Sequence, residues 1–364
     1  MAADEIINIL HKEIVNGRNI NDIENDIFTK LSPYFVNKET LKKNVFNSSM
    51  VSAYEFIIKY SEDSVFANGL KEILDCYASA YSNGPGEVIR IMVGSHQEFA
   101  ERENMMWSIR QRTVPETEEI YEKVMFYFEY IGSSLEISVK GIIHELYALI
   151  RIINGQSIDY DKICKTDFGV AINNILTHDC FEEILQTGPN NMKLSDWRNI
   201  ANHNSYKIKN EKVICTYGKT RNSFSLEVEE FLSYVYKIIR SSNILNIARC
   251  IFVYDNIGAF STEQGKQVES RDNMIFNQIK MSLVAQGFIL KNIRKNTNIL
   301  EVALQDLQND GFKTGEFIEL RQSCFCEVFK KAWILLKVSR INIKYFNQHD
   351  NLVDVLWLDP IQKQ

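Results

Sequence analysis

Residues 197–203 read Trp-Arg-Asn-Ile-Ala-Asn-His and place a permanent cation, two amides and an imidazole close together in the chain. In a helix each residue advances by roughly 100°, so the apolar residues of this segment fall on one side. The polar residues are predicted to share the other side, and they are Ser195, Arg198, Asn199, Asn202 and His203. A single short helix would then present several reactive groups on one surface.

These groups suit the cleavage of an RNA phosphodiester. The 2′-hydroxyl loses a proton as it attacks the phosphate, and the leaving 5′-oxygen gains one. A histidine such as His203 can serve either step, because an imidazole can both accept and donate a proton. The guanidinium of Arg198 can hold the negative charge of the transition state through paired hydrogen bonds. Neither step requires a metal, and the sequence offers no acidic cluster suited to binding one.

The residues after this helix could bind phosphates. Between residues 204 and 224 the basic residues face Glu211 alone, although the whole chain has a net charge of −6. A local basic surface of this kind attracts RNA even on an acidic protein. The predicted RNA-binding residues are Asn202, Lys207, Lys209, Lys212, Lys219 and Arg221.

The spacing of Arg198 and His203 alone is a weak signal. Arginine and histidine occur five positions apart by chance, and a solvated polar helix face explains them without catalysis. The surrounding elements therefore decide how the segment is interpreted.

Helical periodicity and turn residues predict those elements. Alternating residues in 206–217, with a turn at Asn210-Glu211, indicate a β-hairpin. The helices are predicted over residues 118–131, 135–153, 167–177, 180–186, 193–203 and 226–254.

The two flanks have different patterns. The N-terminal flank reads as helices, among them 5–15, 20–31, 51–60 and 66–82. The C-terminal flank has the order α-β-β-α-β-β, which predicts a small α+β module. Its segments are 273–285, 288–293, 298–304, 315–336, 340–346 and 352–358.

Composition restricts the class of protein. With 364 residues, 45% of them hydrophobic, the chain has room for two or three domains. An acidic start and the lack of a long apolar run favour a cytoplasmic protein with no membrane segment. Seven scattered cysteines indicate reduced thiols, and neither Cys324-x-Cys326 nor His144-Glu145 has the further ligands that a zinc site needs. We therefore predict no metal and no cofactor.

Residues 197–203 resemble the Arg-polar-x-x-x-His motif of the HEPN superfamily, with Arg198, Asn199 and His203 at its three defined positions. The context is similar as well. Two long helices, a short helix pair containing Phe168-Gly169, the motif helix, a short β excursion and a long closing helix follow one another. The resemblance covers about residues 115–254.

The resemblance implies a metal-independent endoribonuclease that forms a homodimer with a composite active site. Arg198 would stabilise the scissile phosphate, His203 would transfer protons and Asn199 would orient its neighbours or the RNA. Products would be a 2′,3′-cyclic phosphate and a 5′-hydroxyl. It further implies an effector of bacterial anti-phage defence or a toxin, with an antitoxin or sensor as possible partner. The alternative is a catalytically silent HEPN scaffold for dimerisation or partner binding.

The expected fold is mainly α. A helical N-terminal region (1–113) precedes a central HEPN-type helical bundle with a short hairpin insertion (115–256), and a small α+β C-terminal module (270–364) follows.

Overall fold

The computed structural model of the chain describes residues 10, 12–14, 16–117, 119–218, 220–261, 271–309, 321, 328–329 and 332–359. Within these ranges the protein is mainly helical, as the sequence predicts, and its strands form two separate sheets. No helix in the described ranges is both long and apolar enough to cross a membrane.

The helices of the first half of the chain are α1 (Ile20–Leu31), α2 (Lys38–Asn44), α3 (Ser48–Lys59), α4 (Ser64–Asn83), α5 (Pro85–Arg110), α6 (Ile120–Ser133), a π-helical segment (Ser134–Val139) and α7 (Lys140–Ile153). They are followed by α8 (Tyr160–Cys164), α9 (Phe168–Ile175), α10 (Glu182–Leu185), α11 (Leu194–Asn202), α12 (Val228–Asp255), α13 (Ile257–Ser261) and α14 (Asp272–Ala285). Short 3₁₀ turns cover Ser32–Tyr34, Asp179–Phe181 and Pro189–Asn191. The strands are β1 (Tyr206–Lys209), β2 (Lys212–Tyr217), β3 (Asn222–Glu227), β4 (Phe288–Asn296), β5 (Ile299–Asp306), β6 (Arg340–Phe346) and β7 (Leu352–Leu358).

Local sequence signals locate several of these elements closely. Helix α1 has the predicted bounds, because Asn19 caps its start by accepting a hydrogen bond from the amide of Asn21 at 2.8 Å. Its buried residues Ile23, Ile27 and Leu31 recur every fourth position, which is the helical spacing. Strands β6 and β7 also have the predicted bounds.

The contacts divide the chain differently from the predicted domain boundaries. Tyr60–Val268 forms one compact unit, and Ala3–Lys59 together with Glu269–Gln364 forms the other. Helices α4 and α5, predicted within the region 1–113, thus belong with the central helices. The cause is long-range packing, since α4 lies against α12 and α7. A Cβ added at Gly69 of α4 would lie 3.3 Å from the side chain of Ile244 of α12.

The unit Tyr60–Val268 is a helical bundle with one small sheet. Helix α12 packs on α4 and on the π-helical segment, and α11 packs on α6. The sheet has the order β1-β2-β3 and both pairs are antiparallel. The sequence analysis predicted only the hairpin β1-β2, so the third strand corrects the expected hairpin insertion. Since β3 takes residues up to Glu227, the long helix begins at Val228 instead of residue 226.

The second unit contains α1–α3, α14 and a four-stranded sheet. The strand order is β4-β5-β6-β7, with β5 and β6 parallel and the other pairs antiparallel. One face of this sheet is buried, with Leu300, Val302 and Leu304 of β5 in its core. The predicted α-β-β-α-β-β order agrees with these elements. Most of the helix predicted over 315–336 lies outside the described residues, but residues 332–336 are helical.

Candidate active site

Helix α11 positions the predicted catalytic residues. At its start the amide of Lys193 donates to Oδ2 of Asp196 at 3.0 Å, which satisfies one free donor of the first turn. Trp197 is fully buried and anchors the helix. Its indole fits because residue 188 is glycine, where an added Cβ would lie 2.7 Å from Nε1 of Trp197. This anchoring fixes the rotation of α11 and so the direction of its other residues.

Ser195 does not share the polar surface that the helical pattern predicted. It is buried, with 5% of its surface exposed. The reason is close packing of α11 on α9, where a Cβ at Gly169 would lie 3.4 Å from Oγ of Ser195. The polar surface of α11 is therefore narrower than the sequence suggests.

Arg198 lies between α9 and the π-helical segment, and only 16% of its side chain is exposed. Its guanidinium carbon is 5.4 Å from the centre of the Phe168 ring. Its Nε lies 3.5 Å from Oε2 of Glu136, which makes an ion pair. Both atoms are buried, and neither makes a hydrogen bond within the described part of the chain. The guanidinium is thus held electrostatically in place while this nitrogen stays free to donate.

Glu136 is the residue of this site that the sequence analysis missed. It lies in the π-helical segment Ser134–Val139, which separates α6 from α7. Segments of this kind change which way side chains point and occur frequently at functional sites. Glu136 also accepts a hydrogen bond from Lys140 at 2.7 Å. Burial raises the pKa of the Glu136 carboxyl, but Lys140 and the charge of Arg198 outweigh that and lower it below its ordinary value.

Asn199, Asn202 and His203 are exposed at the end of α11. His203 is the residue that follows the helix, and its amide donates to the carbonyl of Asn199 at 3.1 Å. Asn202 lies against α6, where a Cβ at Gly132 would be 2.8 Å from its Oδ1. Among the described residues no hydrogen bond joins Arg198 to His203. At roughly 100° per residue, their offset of five in sequence places the two side chains about 140° apart around the helix axis.

The predicted RNA-binding residues differ in their surroundings. Lys207 and Lys209 are exposed on β1, and the register puts them on one face of the sheet. Lys212 is on the same face but pairs with Glu227 at 2.6 Å, so its charge is compensated. Arg221 is exposed in the turn before β3 and has a positive φ of 53°. Lys219 lies outside the described residues. The basic surface is therefore smaller than the sequence count suggests.

The opposite face of the small sheet explains why these lysines face outward. Val213 and Cys215 are fully buried, and Phe224 contacts the ring of Trp197 edge-on at 6.0 Å between centroids. Alternation along each strand then leaves Lys207 and Lys209 toward solvent. The sheet thus fixes a basic face next in sequence to the end of α11.

Known proteins give no further guidance to this site. No protein-family model, no curated protein and no solved structure matches the chain.

Proposed function

We propose that the chain is a metal-independent endoribonuclease of the HEPN type, with Arg198 and His203 as its catalytic pair. The observation that supports this most is the setting of Arg198. A mostly buried guanidinium, held by Glu136 and Phe168, has a buried Nε that is ion-paired with Glu136 but makes no hydrogen bond within the described residues. Leaving a buried donor without a partner costs free energy, and such a cost is typical of sites that await a ligand.

In this proposal each residue has one task. Arg198 donates to the oxygens of the scissile phosphate and stabilises the charge that builds up as the 2′-oxygen attacks. His203 transfers the proton, and its exposed position allows an RNA strand to reach it. The exposed amide of Asn199 orients the RNA, and Asn202 extends this polar surface. The steps form the bond from the 2′-oxygen to phosphorus and break the bond to the 5′-oxygen.

A homodimer accounts for the separation of Arg198 and His203 around α11. If two copies place their α11 ends side by side, His203 of one copy can complete the site around Arg198 of the other. A mixture of inactive Arg198→Ala and His203→Ala proteins is then expected to regain part of the wild-type activity, because mixed dimers contain one intact composite site. Mixtures as inactive as the separate variants would argue against a shared site.

Lys207 and Lys209 are proposed to bind the RNA backbone. Both are exposed and neither forms an ion pair within the described ranges, whereas Lys212 is paired with Glu227. Lys207→Gln and Lys209→Gln are therefore expected to weaken RNA binding more than Lys212→Gln does. The difference should shrink as salt is raised, since phosphate contacts depend strongly on ionic strength.

The role of an effector in anti-phage defence or a toxin–antitoxin pair belongs to the same proposal. An unrestrained ribonuclease would harm its own cell, so we expect latency or an inhibitor, with an antitoxin or sensor as the restraining partner. The cytoplasm is the expected compartment. Unimpaired growth of cells that express the active, partner-free protein would count against this role.

The test is RNA cleavage by the purified protein in EDTA. Wild type should cleave total RNA, and Arg198→Ala or His203→Ala should lower the rate by a factor of about 100 or more, as expected for loss of a transition-state donor or a general acid–base. Lys165→Ala, which changes an exposed cation that is not among the predicted site residues, serves as the matched control and should cleave normally. Equal cleavage by all four proteins would mean that a contaminant or another site is responsible.

A second candidate function is the silent HEPN scaffold. The same ion pair favours it, because Glu136 neutralises the charge of Arg198. An arginine whose charge is neutralised by a neighbouring carboxylate can serve to stabilise the fold without taking part in catalysis. In that case His203→Ala leaves every activity unchanged, whereas Glu136→Gln and Arg198→Gln weaken folding. The ribonuclease proposal instead requires His203→Ala to abolish cleavage without affecting stability.

A further inference from the structure

A small polar pocket is lined in part by Lys140, which follows Glu136 by one helical turn in the sequence. It has a volume of about 90 Å³ and is formed by α5, α7 and α8. The residues that matter for its chemistry are Ser95, Glu98, Arg102, Lys140, His144 and Tyr160. The ribonuclease proposal assigns no task to this pocket.

Two cations from different helices face this pocket. Arg102 of α5 has 21% of its side chain exposed and Lys140 of α7 has 27%. Each is tethered, since Arg102 pairs with Glu98 and Lys140 with Glu136. Of the charged residues that line the pocket, Arg102 and Lys140 are the two cations and Glu98 is the anion, and Glu136 pairs with Lys140 from outside the lining.

Gly141 makes room for the guanidinium at this place. An added Cβ there would lie 2.6 Å from Nη1 of Arg102 and 3.4 Å from its Cζ. Nη1 is also 3.5 Å from the carbonyl oxygen of Ile137, within the π-helical segment. The absence of a side chain at residue 141 thus allows Arg102 to lie against α7 beside Lys140.

Neutral hydrogen-bonding groups complete the lining. His144 is almost fully buried, with 3% exposed, and its Nε2 donates to the carbonyl of Thr166 at 3.0 Å. A proton taken up by this ring therefore goes to Nδ1. Burial lowers the pKa of His144, and the charges of Lys140 and Arg102 lower it further, as expected if both cations are near the ring. An anion in the pocket would favour the protonated ring and gain a third donor.

We propose that this pocket binds the phosphate group of a small ligand, with Arg102 and Lys140 as its cationic partners. A guanidinium and an ammonium group that line one small, partly enclosed space are typical of phosphate recognition. A pocket of about 90 Å³ accommodates a terminal phosphate but not a chain that enters and leaves. The ligand is therefore inorganic phosphate or a phosphomonoester such as a nucleoside monophosphate, and not the middle of an RNA strand.

Phosphate binding in this pocket would also affect the candidate active site. Lys140 shares Glu136 with Arg198, so an anion that attracts Lys140 leaves Glu136 to Arg198 alone. This consequence depends on the ion pairs and not on RNA cleavage. The binding site can therefore exist whether or not the ribonuclease proposal is correct.

The test is calorimetric titration of the full-length protein with inorganic phosphate and, separately, with AMP. Wild type is expected to bind at one site per chain. Arg102→Gln, Lys140→Gln and Gly141→Ala should each weaken binding by about tenfold or more, the usual loss for a charge-assisted hydrogen bond. Glu98→Gln removes the competing carboxylate and should tighten binding. Arg90→Gln changes an exposed arginine of the same helix and should leave the affinity unchanged.

The outcomes separate the sources of the phosphate. Equal affinity for phosphate and AMP means that the phosphate group alone is recognised, and tighter binding of AMP means that a nucleotide is the ligand. The proposal is overturned if neither ligand saturates a site, or if Arg102→Gln and Gly141→Ala bind as wild type does. Thermal unfolding of each variant shows whether it is folded, and Glu98→Gln provides a gain of affinity that misfolding cannot imitate.

Discussion

The ion pair between Glu136 and Arg198 is expected to couple the two residues energetically. Glu136→Gln removes the carboxylate charge with little change of shape, and Arg198→Gln removes the guanidinium. Glu136→Gln leaves the partly buried charge of Arg198 without its ion-pair partner, whereas Arg198→Gln leaves Glu136 paired with Lys140 alone. The double variant loses both, so the sum of the single effects should exceed the effect of the double change.

The size of the coupling follows from distance and exposure. At 3.5 Å and an effective dielectric constant of about 20, the attraction of two unit charges is roughly 5 kcal/mol, which is an upper bound. Water screens Glu136, which is 37% exposed and shared with Lys140, but screens Arg198 less, at 16% exposed. Exposed pairs measure between about 0.2 and 1 kcal/mol. We therefore expect a coupling of about 1 kcal/mol, reduced in high salt.

The assay is urea unfolding of wild type, both single variants and the double variant. The matched control is the pair Arg112–Glu129, which has nearly the same distance, 3.4 Å, but side chains 58% and 54% exposed. Its coupling should be below about 0.5 kcal/mol, because both groups are in water. Equal coupling in the two cycles would refute the claim that the setting of Arg198 strengthens its ion pair.

Two further predictions concern the packing of α11 and a buried acid. Gly132→Ala places a Cβ 2.8 Å from the side chains of Ala201 and Asn202, so it should destabilise the protein by about 1–3 kcal/mol. Gly94→Ala has free space around the added Cβ and should stabilise the protein by about 0.5–1 kcal/mol. Unfolding midpoints of the two variants that move in the same direction would contradict this. Burial raises the pKa of Glu55 from 4.5 to about 8, so the folded state keeps a proton that the unfolded state releases above pH 4.5. Stability should therefore fall as pH rises from 4.5 through about 8, and Glu55→Gln should abolish this fall; parallel pH profiles of the two proteins would exclude it.

The sequence predicted the elements whose signals are local. The apolar spacing located α1, and alternation located β1 and β2 around their turn. The order α-β-β-α-β-β of the C-terminal flank was also predictable. In each case the type of element is determined by neighbouring residues within one segment, and the periodicity of apolar residues reports on such local preferences.

Features that depend on long-range packing were not predictable. No local pattern indicates that Ser195 is buried, since its burial results from close packing against Gly169 on another helix. Glu136 stands four positions before Lys140 and looks like one half of a surface ion pair. Only the π-helical segment, which has no proline or glycine to indicate it, brings this carboxylate to Arg198. The small third strand was missed because its last residues, Leu226 and Glu227, were assigned to the long helix predicted from residue 226.

The grouping of the helices into compact units also depends on long-range contacts. Residues 1–113 are helical by pattern, but the pattern does not tell which helices pack together. Helix α4 contacts α12, more than a hundred residues later in the chain, and Arg240 of α12 pairs with Asp63 just before α4 at 3.1 Å. Contacts at this separation are set by the whole fold and not by local composition.

The central claim is tested most directly by the ends of the RNA that the purified wild type produces in EDTA. We predict 2′,3′-cyclic phosphate and 5′-hydroxyl ends, formed by wild type and not by Arg198→Ala or His203→Ala. Mass spectrometry of a short, defined RNA after incubation identifies both ends. Products with a 3′-hydroxyl and a 5′-phosphate, or the same products from His203→Ala, would contradict the proposed chemistry.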